Sequence, residues 1–164
     1  AGGTIVGKNV MNGLSGGFGT GGAIGDYGRP LNPHNREHVT GGSSSGSGAA
    51  VAARQVDISF GGDQGGSIRI PAAFCGIIGH KPTFGLVPHE PSGPTWKTLI
   101  AIGPLTRTVG DAQLLMDVLA GHDPADRHSV IAPPPSGPAS QVSGPSPMRG
   151  VAAPPKAKAA EPRR

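Results

Sequence analysis

Cysteine occurs once in the 164 residues, at position 75, and a single cysteine cannot build an internal disulfide framework. Aromatic residues are scarce as well, with four phenylalanines, one tryptophan and one tyrosine. They are not interleaved with basic residues as a base-stacking platform requires, which argues against a nucleic-acid face on the body of the protein. No apolar run approaches the roughly 18 residues of a membrane-spanning helix, and no charged-then-apolar leader opens the chain. The expected location is a reducing cytoplasm, with no membrane partner.

Glycine and proline, by contrast, are abundant, at 29 and 18 residues. They are unevenly placed. Nine prolines fall between Pro133 and Arg164, where Val142, Met148 and Val151 are the only large apolar side chains. Such a stretch buries too little to offset its ordering entropy and is expected to be a disordered Pro/Ala-rich tail over 133–164. The tail also holds Arg149, Lys156, Lys158, Arg163 and Arg164 against Glu161, which accounts for the whole formal charge of +4. Residues 1–132 contain nine basic and nine acidic groups, so the basic balance describes the tail alone. Residues 1–132 are expected to form one partial domain. The opening "AGGTIVGKN" reads as mid-domain sequence, with a short strand at 3–7 and a cut edge before it.

Further along, 12–40 is rich in Gly, Asn and Pro and is expected to be a long loop. "GSGAAVAARQ" (46–55) favours a helix, and "VDISFG" (56–61) alternates like a strand. "IRIPAAFCGIIG" (68–79) suits a short helix with Pro71 in its first turn, and "TLIAIGPL" (98–105) a further strand. The clearest helix is 109–120, with Val109, Ala112, Leu115, Met116 and Leu119 on one face, Thr108 as N-cap, Asp111 completing a box-like start and Gly121 beyond its end. Alternating strands and helices make the class α/β.

Several motifs can be set aside on context. "GFGTGG" (17–22) has the glycine spacing of a dinucleotide loop but neither the preceding strand nor the following helix. "GSSSG" (42–46) has the spacing of a nucleophile elbow around Ser44, but "HNREHVT" before it is no strand. His34 and His38 are spaced like helical metal ligands, yet Pro33 argues against a helix and there is no third ligand, so no metal is expected. Cys75 lies in apolar "AAFCG", where nothing would lower its pKa, and reads as a buried structural thiol.

Two loops remain, "TGGSSSGSGAA" (40–50) and "DQGGSIRIP" (63–71). In each, glycines precede a serine and small or apolar residues follow. Such a stretch is either a flexible surface turn or a rigid nest. Gly-Gly lets successive amides converge on one point, because glycine tolerates positive φ and leaves room for a ligand. That concavity suits a developing oxyanion, which acyl transfer at a serine requires. Neither serine has a histidine or a carboxylate beside it in sequence to serve as its base.

"GGSSSGSGAAVAA" (41–53) and "GGDQGGSIRIPAAFCGIIGHKP" (61–82) resemble the amidase signature family. The likeness extends to "GKNVM" (7–11), "NP" (32–33) and "GPLTRTVGDAQLLMDVLAGHDP" (103–124), and "DQGGSIRIPAAFCG" is most similar to the amidases found with nitrile hydratase. The resemblance implies a Ser–cis-Ser–Lys triad with Ser67 as nucleophile and Ser43 as the proton-passing cis-serine, at the family's separation. It implies an oxyanion hole from the backbone N–H groups of Gln64, Gly65, Gly66 and Ser67, with Asp63 and Arg69 in support, whose charges could serve simply to fix the loop. The implied fold is a mixed sheet between helical layers, this chain supplying its central portion. No metal or organic cofactor is implied. The implied partner is a small-molecule amide substrate, and the resemblance admits a homodimer of the full-length protein.

One departure bears on activity. The family's catalytic lysine lies well before the cis-serine, in a segment this chain does not contain. Lys8 matches a different, later lysine, and Lys81 and Lys97 follow the nucleophile. The chain is therefore expected to be the middle of an amidase, inactive by itself. The expected ancestral reaction is hydrolysis of a carboxylic amide to acid and ammonia or amine. The alternatives are an amidotransferase A-subunit that releases ammonia from glutamine for tRNA, and a catalytically dead fragment or interaction module.

Overall fold

The sheet is organised around Pro104. In the computed structural model, which describes residues 3–11, 28–90 and 98–132, this proline lies within strand β3 (Ala101–Thr106), the middle strand of three. Strand β1 (Ile58–Asp63) runs antiparallel to it along its full length, with Phe60 opposite Pro104. Strand β2 (Ile78–Gly79) pairs antiparallel with the other edge, opposite Thr106 and Leu105. A proline has no N–H to give a neighbouring strand. The Pro104 carbonyl still accepts from His80 N at 3.0 Å, but the reciprocal bond cannot form, and β2 ends at Gly79.

Helix α1 (Ser45–Ala52), helix α2 (Arg69–Cys75) and helix α3 (Val109–Leu119) pack around this sheet. The order α1–β1–α2–β2–β3–α3 keeps the α/β class expected from the sequence, but the 68–79 segment read as a helix ends at Cys75 and gives way to the short strand β2, so two strands follow α2 in succession. The core is built from Val51, Ile68, Ala72, Cys75 and Leu105, with Ala112 and Leu115 from α3. Its small residues permit close approach. A Cβ on Gly48 of α1 would stand 3.0 Å from Pro71 Cβ of α2, so the two helices touch almost backbone to side chain.

Two further expectations change. Residues 3–7 are irregular, and Ile5 and Val6 are exposed; a strand needs a partner, and this segment pairs with none of the three strands. In α3 the inward face narrows to Ala112 and Leu115, with Val109 exposed. The three strands among the described residues pair only antiparallel. The tail beyond 132 and the 17–22 glycine motif lie outside the described residues. No helix among the described residues is long and apolar enough to cross a membrane.

The start of α3 follows the capping rule read from the sequence. Thr108 Oγ1 accepts from Asp111 N at 3.1 Å and donates to Asp111 Oδ2 at 2.7 Å. Replacing Thr108 by alanine is expected to cost about 1 kcal/mol, measured as a lowered urea midpoint with unchanged slope.

Candidate functional site

Asp63 is the last residue of β1 and is fully buried. A buried carboxylate needs several donors. Its Oδ1 accepts from Gly66 N at 2.7 Å and Arg69 Nη2 at 2.9 Å. Its Oδ2 accepts from Ile68 N at 3.1 Å, Arg69 N at 3.3 Å and Arg69 Nε at 3.0 Å. Burial acts to raise the Asp63 pKa, but the guanidinium and the three amides together hold it below its ordinary value. The loop 64–68 is thereby wrapped around a single charge, with half-buried Ser67 at its bend. The Asp63 carboxylate and the Arg69 guanidinium meet at the base of this loop.

The second loop meets the first across Ile70. Gly41 has φ +75° and Gly66 φ +128°, conformations that side-chain-bearing residues rarely adopt. A Cβ on Gly41 would lie 2.9 Å from Ile70 Cγ2, and one on Gly66 would lie 2.8 Å from Ile70 Cδ1. Both glycines therefore satisfy a backbone and a packing demand together. Ser44 N donates to Ser67 O at 3.2 Å, tying the loops directly. Ser43, buried, follows a cis Gly42–Ser43 peptide bond.

The amides suited to an oxyanion cradle divide into two groups. Gly66 N is held by Asp63 Oδ1. The amides of Gln64, Gly65 and Ser67 take no acceptor among the described residues. Gly65 has open space around its Cα.

The other candidate side chains are structural in this arrangement. Ser44 stands at the N-cap of α1 with irregular backbone, not a strand, before it. A Cβ on Gly61 would overlap its Oγ. Cys75 is buried, its thiol pushed up to about 11 by burial, with Sγ 3.6 Å from Thr40 O. His34 Nε2 bonds Cys75 O at 2.8 Å and anchors a turn. No cluster of three or more metal-ligating side chains occurs among the described residues.

Sequence reading missed one part of the surroundings. Asn9 Nδ2 donates to Ser59 Oγ at 2.9 Å and Ser47 Oγ at 3.4 Å, joining three segments far apart in the chain. The only sequence signal was the likeness of "GKNVM" itself.

Glycine amides surround Ser67, and the second serine-bearing loop is tied to it through Ser44 N and Ser67 O. Residues 1–154 match the family model described as Amidase, and the chain belongs to that family. The A-subunit of glutamyl-tRNA(Gln) amidotransferase from Thermosynechococcus vestitus is 47% identical over 135 residues, covering 82% of this chain and 28% of that protein. The native peptide amidase of Stenotrophomonas maltophilia superposes with a TM-score of 0.66 at 32% identity, covering 90% of this chain and 28% of that one. A bacterial aryl acylamidase of the amidase signature family gives a TM-score of 0.56 at 44% identity, over 62% of this chain and 21% of the other. The chain thus spans about a quarter of the length of these relatives.

Proposed function

We propose that residues 40–71 are the acylating centre of an amidase that hydrolyses a small-molecule carboxylic amide. Ser67 Oγ attacks the amide carbonyl carbon. Its proton passes through the Ser43 hydroxyl to the lysine that the family places before the cis-serine. The carbonyl oxygen gains negative charge as the tetrahedral intermediate forms, and the unengaged amides of Gln64, Gly65 and Ser67 are suited to hold it. Collapse breaks the C–N bond, the departing nitrogen takes the proton, and water then hydrolyses the ester on Ser67. Gly66 contributes through Asp63, by fixing the loop, and not as an oxyanion donor.

The buried Asp63 clamp carries this reading. A flexible surface turn has no use for a carboxylate with five donors at its base. The test is a fluorophosphonate probe with the adduct located by peptide mass spectrometry, applied to a protein in which this chain is joined to the family's lysine-bearing segment. The adduct is expected on Ser67; an adduct on Ser43 or Ser44 would reverse the assignment.

The kinship with amidotransferase A-subunits favours a second reading, in which the same chemistry releases ammonia for a protein partner. Co-purification of other polypeptides of such a complex with the tagged protein would select it, and a free homodimer active on simple amides would select the hydrolase.

A further inference from the structure

The segment holding Asn9 and Val10 is irregular and lies largely in solvent, yet it makes specific contacts with both elements that flank the two serines. Helix α1 has Ser44 as its N-cap but no side-chain cap bond from it, which leaves its first amides in need of acceptors. Gly46 N finds one in Val10 O at 2.9 Å. The approach is close enough to require glycine, since a Cβ on Gly46 would lie 2.7 Å from Val10 N and 3.1 Å from Asn9 Cβ. Beside this contact, Asn9 Nδ2 reaches Ser59 Oγ of β1 at 2.9 Å and Ser47 Oγ of α1 at 3.4 Å. Ser47 Oγ in turn donates to Phe60 O at 2.8 Å.

These bonds lie between the supports of the two loops. Ser43 leads directly into the first turn of α1, and β1 ends at Asp63, which holds the Ser67 loop. The Asn9 amide therefore pins one support to the other.

We infer that Asn9 is a positioning residue for acylation, which sets the placement of Ser43 against Ser67 by clamping the first turn of α1 to β1. The inference rests on the acyl-enzyme reading. A displacement of about 1 Å between reacting groups costs on the order of 10²-fold in rate, so loss of the clamp is expected to slow acylation about tenfold to a hundredfold.

The experiment uses the lysine-bearing protein, fluorophosphonate at varied concentration, and four variants: Asn9→Leu, Ser59→Ala, the double Asn9→Leu/Ser59→Ala, and Thr108→Ala. The last weakens the fold at α3 without touching α1. Asn9→Leu is expected to lower the saturating acylation rate while leaving the half-saturating probe concentration unchanged. Amide exchange at Gly46 and Ser47 should quicken while α3 keeps its protection. The double variant should be little slower than Asn9→Leu alone, because both changes remove one interaction. Acylation by Asn9→Leu at the parent rate, or slowed no more than by Thr108→Ala, would overturn the inference. If the parent protein is not labelled at Ser67, the acyl-enzyme reading itself fails. Exchange at Gly46 then decides the clamp alone: faster exchange in Asn9→Leu sustains it, and unchanged exchange overturns it.

Discussion

Asp63→Ala is expected to lower stability by about 2–5 kcal/mol, chiefly through buried amides that lose their acceptor. The loss has an identifiable origin. Arg69 is 54% exposed at its side chain, so its guanidinium finds water once the carboxylate is gone, and the Coulombic part of the pair is discounted accordingly. The amides of Gly66 and Ile68 belong to buried residues and lose their acceptor outright, at about 1–3 kcal/mol each. Asp63→Asn retains the shape and one acceptor oxygen but turns an NH2 toward donors, so an intermediate loss is expected. The pH dependence follows from the lowered pKa. Asp63 is more acidic folded than at its ordinary value of 3.8. Its contribution is fully present above that value and is lost as pH falls through the lower, folded value. Urea midpoints from neutral pH down to about pH 2 should thus show the parent converging on Asp63→Asn only below about pH 4. A constant gap across that range would mean that the carboxylate charge contributes nothing.

Much of this centre was legible because its chemistry is local in sequence. Asp63, Gly66 and Arg69 fall within one short segment, and glycines flanking a serine carry a backbone meaning whatever surrounds them. The capping of α3 was equally local, since Thr108 and Asp111 are three residues apart. What depended on partners was not legible. Apolar "TIVG" satisfies strand propensity, but pairing is a property of two segments, and this one pairs with none of β1, β2 or β3. The direction of strand pairing was hidden for the same reason. Asn9 meets Ser47 and Ser59 only through folding, and nothing in a polar residue after a lysine announces such contacts. In sequence Gly66 is indistinguishable from its neighbours as an oxyanion donor, because all four amides are alike. The Asp63 oxygen separates it from them.

The largest effect is expected at Ser67. Ser67→Ala should abolish fluorophosphonate labelling and lower amide hydrolysis by roughly 10³-fold or more, in line with the loss of one member of a catalytic unit whose parts act together. A serine hydroxyl is a weak nucleophile until a base takes its proton, which makes the base the second half of the prediction. Lys81 Nζ donates to Pro82 O at 2.8 Å, and Lys8 sits on the exposed segment before Asn9. The family's triad assigns the base to a different lysine, preceding the cis-serine. Residues 1–164 by themselves are therefore expected to release ammonia from small aromatic or aliphatic amides at a negligible rate, and joining the lysine-bearing segment should raise that rate by several orders of magnitude. Lys8→Met in the joined protein should leave turnover within about threefold, because an exposed lysine outside the proton path contributes to neither attack nor departure. Substantial turnover by residues 1–164 alone, abolished by Ser67→Ala and by Lys8→Met, would instead make Lys8 the base. It would require the 8–11 segment to bring that amine to the Ser43 hydroxyl.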